Sequence, residues 1–213
     1  MYVPASFSET EPEILVDLIR RYPLGMLITT GPSGLLASPV PFLYRLEEGQ
    51  LTLVAHLARA NPHWKDLVDL EECLVVFQGA DNYVSPGWYP SKQIHHKVVP
   101  TWNYEMVQVR GTPKIIEAAD WLRNQVGELT DRMEQPRSAP WRVDDAPADY
   151  IAAQLKAIVG LEITVTAMRG KWKMSQNRST EDARGVSTGL SDPDDPHANP
   201  AVSAIVSSRI VDE

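Results

Sequence analysis

Apolar residues recur along this chain with two different periods, and the changes of period mark the predicted elements. From Ile14 to Ile19 the apolar positions follow helical spacing behind Thr10 and Pro12, which is typical of a capped helix start. Pro23 ends this first predicted helix. Short apolar or alternating runs then predict six strands, at residues 24–30, 35–44, 51–55, 72–79, 104–116 and 160–168.

Two longer helices are predicted between the fifth and the sixth strand, over residues 118–134 and 148–158. The first carries one apolar stripe that we expect to face the core, formed by Leu122, Val126, Leu129 and Met133. Strands joined by short turns, with helices between them, predict a mainly β or α+β fold. The expected architecture is a six-stranded antiparallel barrel with flanking helices.

The composition changes after residue 178, where the chain becomes acidic and rich in Ser, Asp and Pro. We therefore predict a main domain over residues 1–178 and an acidic C-terminal segment over 179–213. Such a composition buries little apolar surface, so residues 179–197 are predicted to be mobile. Residues 201–210 are predicted to form a short terminal helix.

Charge and cysteine content narrow the function classes. The net charge of −8 argues against a broad nucleic-acid footprint, which needs clustered Lys and Arg. The single cysteine, Cys73, lies in an apolar run and is predicted to be a buried strand residue. No apolar run approaches membrane-spanning length, and the first residues carry no secretion signal. We expect no membrane association and a cytoplasmic location.

The stretch from Tyr83 to Thr112 concentrates prolines, tryptophans and tyrosines in a predicted loop and the strand behind it. Prolines stiffen such a loop before any ligand arrives, which lowers the entropy cost of binding. Two interpretations stay open at this point. The aromatic side chains either form a wall for a flat ligand or anchor the loop against the core.

Two positively charged stretches are candidate anion sites. Arg59 and Asn61 precede a predicted helix start at Pro62, where free backbone N–H groups and a guanidinium would bind an anion. Lys171 and Lys173 point the same way on an extended chain, and Gln176 and Asn177 follow them. The alternatives are a capped helix with a solvated Arg59 and an ordinary basic strand end.

Other chemistries have less support in the sequence. The five histidines show no metal-ligand spacing, so no metal site is predicted. The chain lacks a nucleophile elbow, a Gly-rich dinucleotide fingerprint and a P-loop. Anion sites, stacking rings and amide side chains together suit a phosphorylated flat ring system. Flavin mononucleotide (FMN) is the leading candidate, because it has a doubly charged phosphate and a tricyclic ring with one polar edge.

Several motifs, in this order, resemble the PaiB family of FMN-binding negative transcriptional regulators. They cover nearly the whole chain: Met1-Tyr-x-Pro, His56-x-Ala-Arg-Ala-Asn-Pro-x-Trp, Tyr83-x-Ser-Pro-x-Trp-Tyr, Val99-Pro-Thr-Trp-Asn-Tyr and Lys171-x-Lys-x-Ser-Gln-Asn. The resemblance implies an FMN-binding split barrel of Greek-key type, related to the pyridoxamine-phosphate oxidase fold. It also implies a homodimer with FMN at or near the subunit interface.

By this resemblance, a set of residues would contact the flavin. Arg59 and its neighbours would hold the phosphate, and the segment at Ser38 would run past the ring. The full set implied is Ser38, Pro39, Val40, His56, Arg59, Ala60, Asn61, Trp102, Asn103, Lys171, Gln176 and Asn177. Direct DNA binding is supported neither by the charge nor by a helix-turn-helix signature.

Three function hypotheses stay open in the sequence. The first is a dimeric FMN-binding protein that acts as a negative transcriptional regulator. The second is an FMN-dependent oxidoreductase on the same barrel, resembling flavin reductases or haem-handling proteins. The third is a barrel that binds no flavin and serves as a dimeric interaction module. Whether the protein is an enzyme stays open, and no catalytic residue is assigned.

Overall fold

The computed structural model describes residues 1–210, which form two compact units. Unit 1 comprises residues 1–18, 78–107 and the chain from 169 onward, and unit 2 comprises residues 19–77 and 108–168. The helices are α1 (Pro12–Arg21), α2 (His63–Asp66), α3 (Lys92–His95), α4 (Ala119–Glu134), α5 (Ala148–Lys156), α6 (Thr180–Ser191) and α7 (Pro200–Ser208). The strands are β1 (Ser8–Glu9), β2 (Leu24–Gly31), β3 (Gly34–Pro41), β4 (Leu43–Glu47), β5 (Gln50–Ala58), β6 (Cys73–Val84), β7 (Thr101–Ile116) and β8 (Ile158–Lys173).

The strands form an antiparallel sheet in the order β3-β2-β6-β7-β8-β5-β4, with β1 added to β8. The antiparallel α+β prediction is confirmed, but the predicted number of six strands is wrong. Proline explains part of the difference. Pro41 has no N–H for a strand ladder, so β3 ends there and β4 begins at Leu43, where the predicted second strand was continuous. Among residues 1–210, the sheet runs open from β3 to β4.

Unit 2 holds a core of alternating strand residues. Phe42 and Phe77 lie edge to face with ring centroids 5.7 Å apart, and both are fully buried. A Cβ on Gly25 would lie 2.7 Å from the Phe77 ring, so glycine permits this close approach. The prediction for Cys73 is confirmed: it is buried in β6, and burial raises the pKa of its thiol to about 12.

Helix α4 in unit 2 differs from its predicted packing. Met133, predicted to lie in the core, is 46% exposed, whereas the polar Gln125 is fully buried beside Leu122. The buried face of α4 therefore lies nearer its N-terminal half than the apolar stripe indicates. The sequence pattern could not show this, because Gln125 is buried through a specific partner rather than through apolarity.

In unit 1 the aromatic loop is anchored rather than free. Tyr89 is 2% exposed, and the Trp88 indole N–H donates to Asp195 at 3.0 Å. Trp88 packs against α6 at Gly185 and Gly189, where an added Cβ would lie 2.1 Å and 2.4 Å from atoms of Trp88. For these two aromatic residues the anchoring interpretation therefore holds.

The predicted mobile segment over residues 179–197 instead contains helix α6. Ser179 caps the helix by accepting from the Asp182 N–H, and Val186 and Leu190 are fully buried. The predicted terminal helix is present as α7, capped by Asn199. The acidic composition misled the prediction because most of the charges face solvent while a small apolar stripe packs inward, and the buried Asp182 accepts hydrogen bonds from Ser91. Over residues 1–210, no helix is both long and apolar enough to cross a membrane.

Candidate functional site

Strand β7 in unit 1 presents one exposed aromatic side chain. Its residues in this unit alternate strictly between exposed or half-buried and buried positions from Trp102 to Val107. Trp102 is 54% exposed, whereas the next residue, Asn103, is fully buried and shares two hydrogen bonds with the Ser175 side chain at 3.1 Å and 3.2 Å. The indole of Trp102 is thus available to a ligand, and Asn103 braces the strand that carries it.

Lys173 contacts the backbone of Trp102, and two further cationic side chains lie close enough to influence Lys173. Lys173 donates to Thr101 Oγ1 at 2.5 Å and to the Trp102 carbonyl. Lys171 Nζ lies 5.2 Å from the Tyr104 ring centroid, and the Arg178 guanidinium carbon lies 4.7 Å from that of Tyr89. We call Lys171, Lys173 and Arg178 the cationic cluster.

Among the described residues, no ion pair neutralises the cationic cluster. No Asp or Glu forms an ion pair with Lys171, Lys173 or Arg178 among residues 1–210. Burial lowers the pKa of Lys173, and the charges of Arg178 and Lys171 lower it further. A bound anion would relieve this repulsion, because a nearby opposite charge favours the charged form of a lysine.

Gln176 and Asn177 follow the cationic cluster in a tight turn. Ser175 adopts φ +67°, a left-handed conformation that turns the chain out of β8. Gln176 stabilises this turn by accepting from the Met174 N–H at 2.6 Å and donating to the Trp172 carbonyl at 2.7 Å. Asn177 is exposed. Gln176 therefore stabilises the turn, whereas the side chain of Asn177 is exposed to solvent.

In unit 2, Ser38 belongs to a buried polar group. Its hydroxyl lies 2.8 Å from His63 Nδ1, and the hydroxyl of Thr29 lies 2.8 Å from His63 Nε2. His63 is 2% exposed, and burial lowers the pKa of its imidazole, against the raising effect of Asp66. A neutral imidazole donates through one nitrogen and accepts through the other, so His63 fixes the direction of the Ser38 hydroxyl.

The hairpin of β2 and β3 places Pro39 and Val40 on opposite sides. Val40 is buried, whereas Pro39 lies opposite Met26 on a face that solvent reaches. This exposed hairpin face is almost entirely apolar. Its members are Leu24, Met26, Ile28, Thr30, Leu35, Ala37, Pro39 and Pro41.

Arg59 is occupied by partners of its own unit. Its guanidinium pairs with Glu117 at 2.6 Å and donates to the carbonyls of Lys156 and Ile158. Asn61 accepts from the His63 N–H at 3.1 Å, and Ala60 is exposed. Helix α2 has four residues and begins at His63, one residue after the predicted start at Pro62. An anion at Arg59 would compete with Glu117.

His56 in β5 contacts the buried amide of α4. Its Nδ1 donates to Gln125 Oε1 at 2.8 Å, since an amide oxygen can only accept. Gln125 Nε2 has no hydrogen-bond partner among residues 1–210. A buried unpaired donor is costly, so this amide favours a ligand acceptor or an ordered water beside His56.

Comparison with known proteins identifies the family to which this chain belongs. Residues 1–167 match the model of a family described as "Putative FMN-binding domain". The chain belongs to this family. FMN is therefore the cofactor of the domain, and the prediction of FMN is confirmed. Lys171, Lys173 and Arg178 lie beyond the matched residues.

Relatives of this FMN-binding domain occur in fungi and bacteria. An uncharacterized protein of Emericella nidulans is 35% identical, over 89% of this chain and 90% of the relative. An uncharacterized protein of Saccharomyces cerevisiae is 39% identical, over 64% of this chain and 92% of the relative. "Protease synthase and sporulation protein PAI 2" of Bacillus subtilis is 29% identical over 93% of each chain. The predicted resemblance to PaiB is confirmed.

Solved structures share the fold. A FAD and haem binding protein of Mycobacterium smegmatis has a TM-score of 0.56 and 22% identity, over 78% of this chain and 73% of the other. A flavocytochrome of Azotobacter vinelandii has a TM-score of 0.55 and 14% identity, over 78% and 69% of the two chains. These similarities support the predicted antiparallel barrel fold with flanking helices.

The residues present fit FMN by their chemistry. FMN supplies a redox-active ring system and a phosphate dianion. Unit 1 offers the cationic cluster and the exposed Trp102, and unit 2 offers the unpaired donor of Gln125. The predicted site residues divide between the units, with those from Ser38 to Asn61 in unit 2 and those from Trp102 to Asn177 in unit 1.

Sequence reasoning missed three polar residues of these sites as flavin candidates: Thr29, His63 and Gln125. His63 carried a weak signal, since it follows Asn61 and Pro62 in the family-like motif. Gln125 and Thr29 carried none, because a single polar residue in an apolar stretch looks the same whether it faces solvent or a buried partner.

Proposed function

We propose that this protein is a dimeric FMN-binding protein of the PaiB type that holds the FMN phosphate at its cationic cluster. The observation that carries the proposal is the absence of any carboxylate partner for Lys171, Lys173 and Arg178 among residues 1–210, in a chain with a net charge of −8. Repulsion among the three cations disfavours their charged forms, and a bound anion favours those forms. FMN supplies such an anion.

The exposed indole of Trp102 supports the placement of the ring. Lys173 bonds the carbonyl of Trp102, so a phosphate held by Lys173 brings the rest of the cofactor near this side chain. Flat aromatic ligands stack on such rings, with a gain beyond simple burial. The unit 2 residues Ser38, Pro39, Val40, His56, Arg59, Ala60 and Asn61 stay predicted flavin contacts.

The first experiment is a visible spectrum of the purified protein, followed by titration of stripped protein with FMN and with riboflavin. Riboflavin has the same ring and lacks the phosphate. Under the proposal, FMN binds much more tightly than riboflavin, because only FMN neutralises the cationic cluster. Material that stays colourless with excess FMN, or that binds both flavins equally, contradicts the proposal.

The dimer is supported by the exposed hairpin face of β2 and β3. Leu24, Met26 and Leu35 are 64%, 39% and 74% exposed, and their neighbours on this face are also apolar. A continuous exposed apolar face is typical of an interaction surface. Met26→Glu should convert a dimer to a monomer in light scattering coupled to size exclusion, whereas Leu46→Glu on β4 should not. A wild-type monomer would contradict the dimer.

A role in negative transcriptional control is supported by the resemblance to the PaiB family. Direct DNA binding is not favoured, because the chain is acidic, so we propose action through a protein partner or a metabolite. A gel-shift assay at physiological salt, with FMN-loaded protein and the DNA upstream of its own gene, should show no band shift. A salt-sensitive, specific shift would contradict indirect action.

The alternative is an FMN-dependent oxidoreductase, and one observation favours it. A cavity of about 340 Å³ opens at Trp102, which leaves room for a second molecule beside the ring. Under this alternative, NADH or NADPH bleaches the bound flavin, and a trial acceptor restores its colour. A flavin that neither nucleotide bleaches favours the regulatory role.

A further inference from the structure

The cavity beside Trp102 has the composition of a binding site for an organic cation. Its lining residues belong to unit 1: Asp81, Asn82, Tyr83, Trp102 and His197. The volume of about 340 Å³ lies at the small end of the range for ligand pockets, which suits a compact ligand. We call this cavity the ring cleft.

Aromatic rings form the walls of the ring cleft. Tyr83 and Trp102 lie edge to face with centroids 6.2 Å apart, and the imidazole of His197 lies 4.8 Å from the Tyr83 ring. The faces of Tyr and Trp rings carry negative potential and attract ammonium groups. The two such rings of the cleft, Tyr83 and Trp102, therefore favour a positively charged group over a neutral one of the same shape.

One carboxylate of the ring cleft has no cationic partner. Asp81 accepts one hydrogen bond, from Gln78 Nε2 at 3.0 Å, and forms no ion pair among residues 1–210. A carboxylate beside ring faces supplies a counter-charge at the position that a cation would take. The charge of Asp81 and the negative potential of the ring faces are separate effects, and both favour a cationic ligand.

Hydrogen bonds hold the ring cleft in shape. Asn82 donates to the carbonyls of Tyr83 and His197, and its own side-chain oxygen accepts from Asn199. The segment between α6 and α7 is thereby tied to β6, which keeps His197 against Tyr83. A cleft held open before binding loses little entropy when a ligand enters.

We propose that the ring cleft binds a small organic ammonium ion, with its methyl or methylene groups against Tyr83 and Trp102 and its charge toward Asp81. This proposal goes beyond FMN binding. Because the flavin proposal also uses the indole of Trp102, the ring cleft is tested on flavin-free protein, where FMN does not compete for that side chain. Failure of the ring-cleft proposal therefore leaves the flavin proposal untouched, and loss of flavin binding leaves the ring cleft available.

The test compares choline with its neutral carbon analogue, in which a tert-butyl group replaces the trimethylammonium group. Calorimetry on flavin-free protein should show choline binding at least about tenfold more tightly, which corresponds to about 1.4 kcal/mol. The indole N–H resonance of Trp102, assigned by its loss in Trp102→Phe, should shift with choline. Equal binding of the two probes, or no binding of choline, overturns the proposal.

Two variants separate the ring cleft from the general negative charge of the protein. Asp81→Asn keeps the shape of the side chain and should weaken choline binding about tenfold. Asp194→Asn removes the same charge from an exposed position three residues before His197 that does not line the cleft, and it should leave binding unchanged. An equal loss in both variants would mean non-specific attraction and would overturn the proposal.

Discussion

Replacement of Lys173 by methionine tests the phosphate assignment most directly. Methionine keeps a long apolar stem in the half-buried position and removes the ammonium group that contacts Thr101 and Trp102. A hydrogen bond to a charged group contributes about 1.5–3 kcal/mol. The FMN dissociation constant should therefore rise about 10- to 150-fold in Lys173→Met.

The assay is quenching of flavin fluorescence, with riboflavin as the internal control. Because riboflavin has no phosphate, Lys173→Met should leave its affinity unchanged. The pH dependence gives a second readout. Burial and the neighbouring charges lower the pKa of Lys173, so FMN affinity should fall as the pH rises toward the ordinary lysine value of about 10.4. Lys173→Met should lack that part of the alkaline decline.

Arg59→Ala tests Arg59 as the alternative site for the FMN phosphate. Arg59 is predicted from the sequence to hold the phosphate, yet its guanidinium pairs with Glu117. If FMN affinity is unchanged in Lys173→Met and falls one to two powers of ten in Arg59→Ala, the reasoning from the cationic cluster is refuted. The phosphate would then lie at Arg59, with Glu117 displaced.

Two further predictions concern stability. Gly185→Ala should lower the free energy of unfolding, measured in urea, by about 1–3 kcal/mol, because the new Cβ would lie 2.1 Å from the Trp88 carbonyl oxygen. The control is Gly127→Ala, whose Cβ would meet open space. It should raise the free energy of unfolding by about 0.5–1 kcal/mol. Burial lowers the pKa of His63 in the folded protein. As the pH falls, His63 therefore takes up a proton in the unfolded chain before it does so in the folded protein. The free energy of unfolding should then decrease as the pH drops below about 6.5. His63→Gln should reduce this acid sensitivity in thermal melts, whereas exposed His95→Gln should not; a loss of equal size in both variants would contradict the assignment.

The sequence predicted the elements whose signal is local. Alternating apolar residues identified the strands, and Pro23 and Pro41 marked real ends of elements, although Pro41 also divided a strand that was predicted whole. Helix α6 was missed because its evidence is not local. Gly185 and Gly189 lower helix propensity when read alone, and only the position of Trp88 explains why small residues are required there.

The same distinction applies to the candidate site. Motif order identified a flavin-binding family, and residue types such as Lys171 and Trp102 carried over from that resemblance. Which cations are free to bind an anion depends on partners distant in the chain. Arg59 and Lys173 look alike in the sequence, yet Glu117, 58 residues away, neutralises one of them and no acid in residues 1–210 pairs with the other.

This difference in pairing has a functional consequence. An anion that binds at Arg59 must displace Glu117, a carboxylate 60% exposed, and the gain is reduced by the loss of the existing pair. An anion that binds at Lys173 displaces no carboxylate and reduces the repulsion from Lys171 and Arg178. For the same ligand charge, the unpaired cluster therefore gives the larger net affinity, and this favours unit 1 as the phosphate-binding unit of the protein.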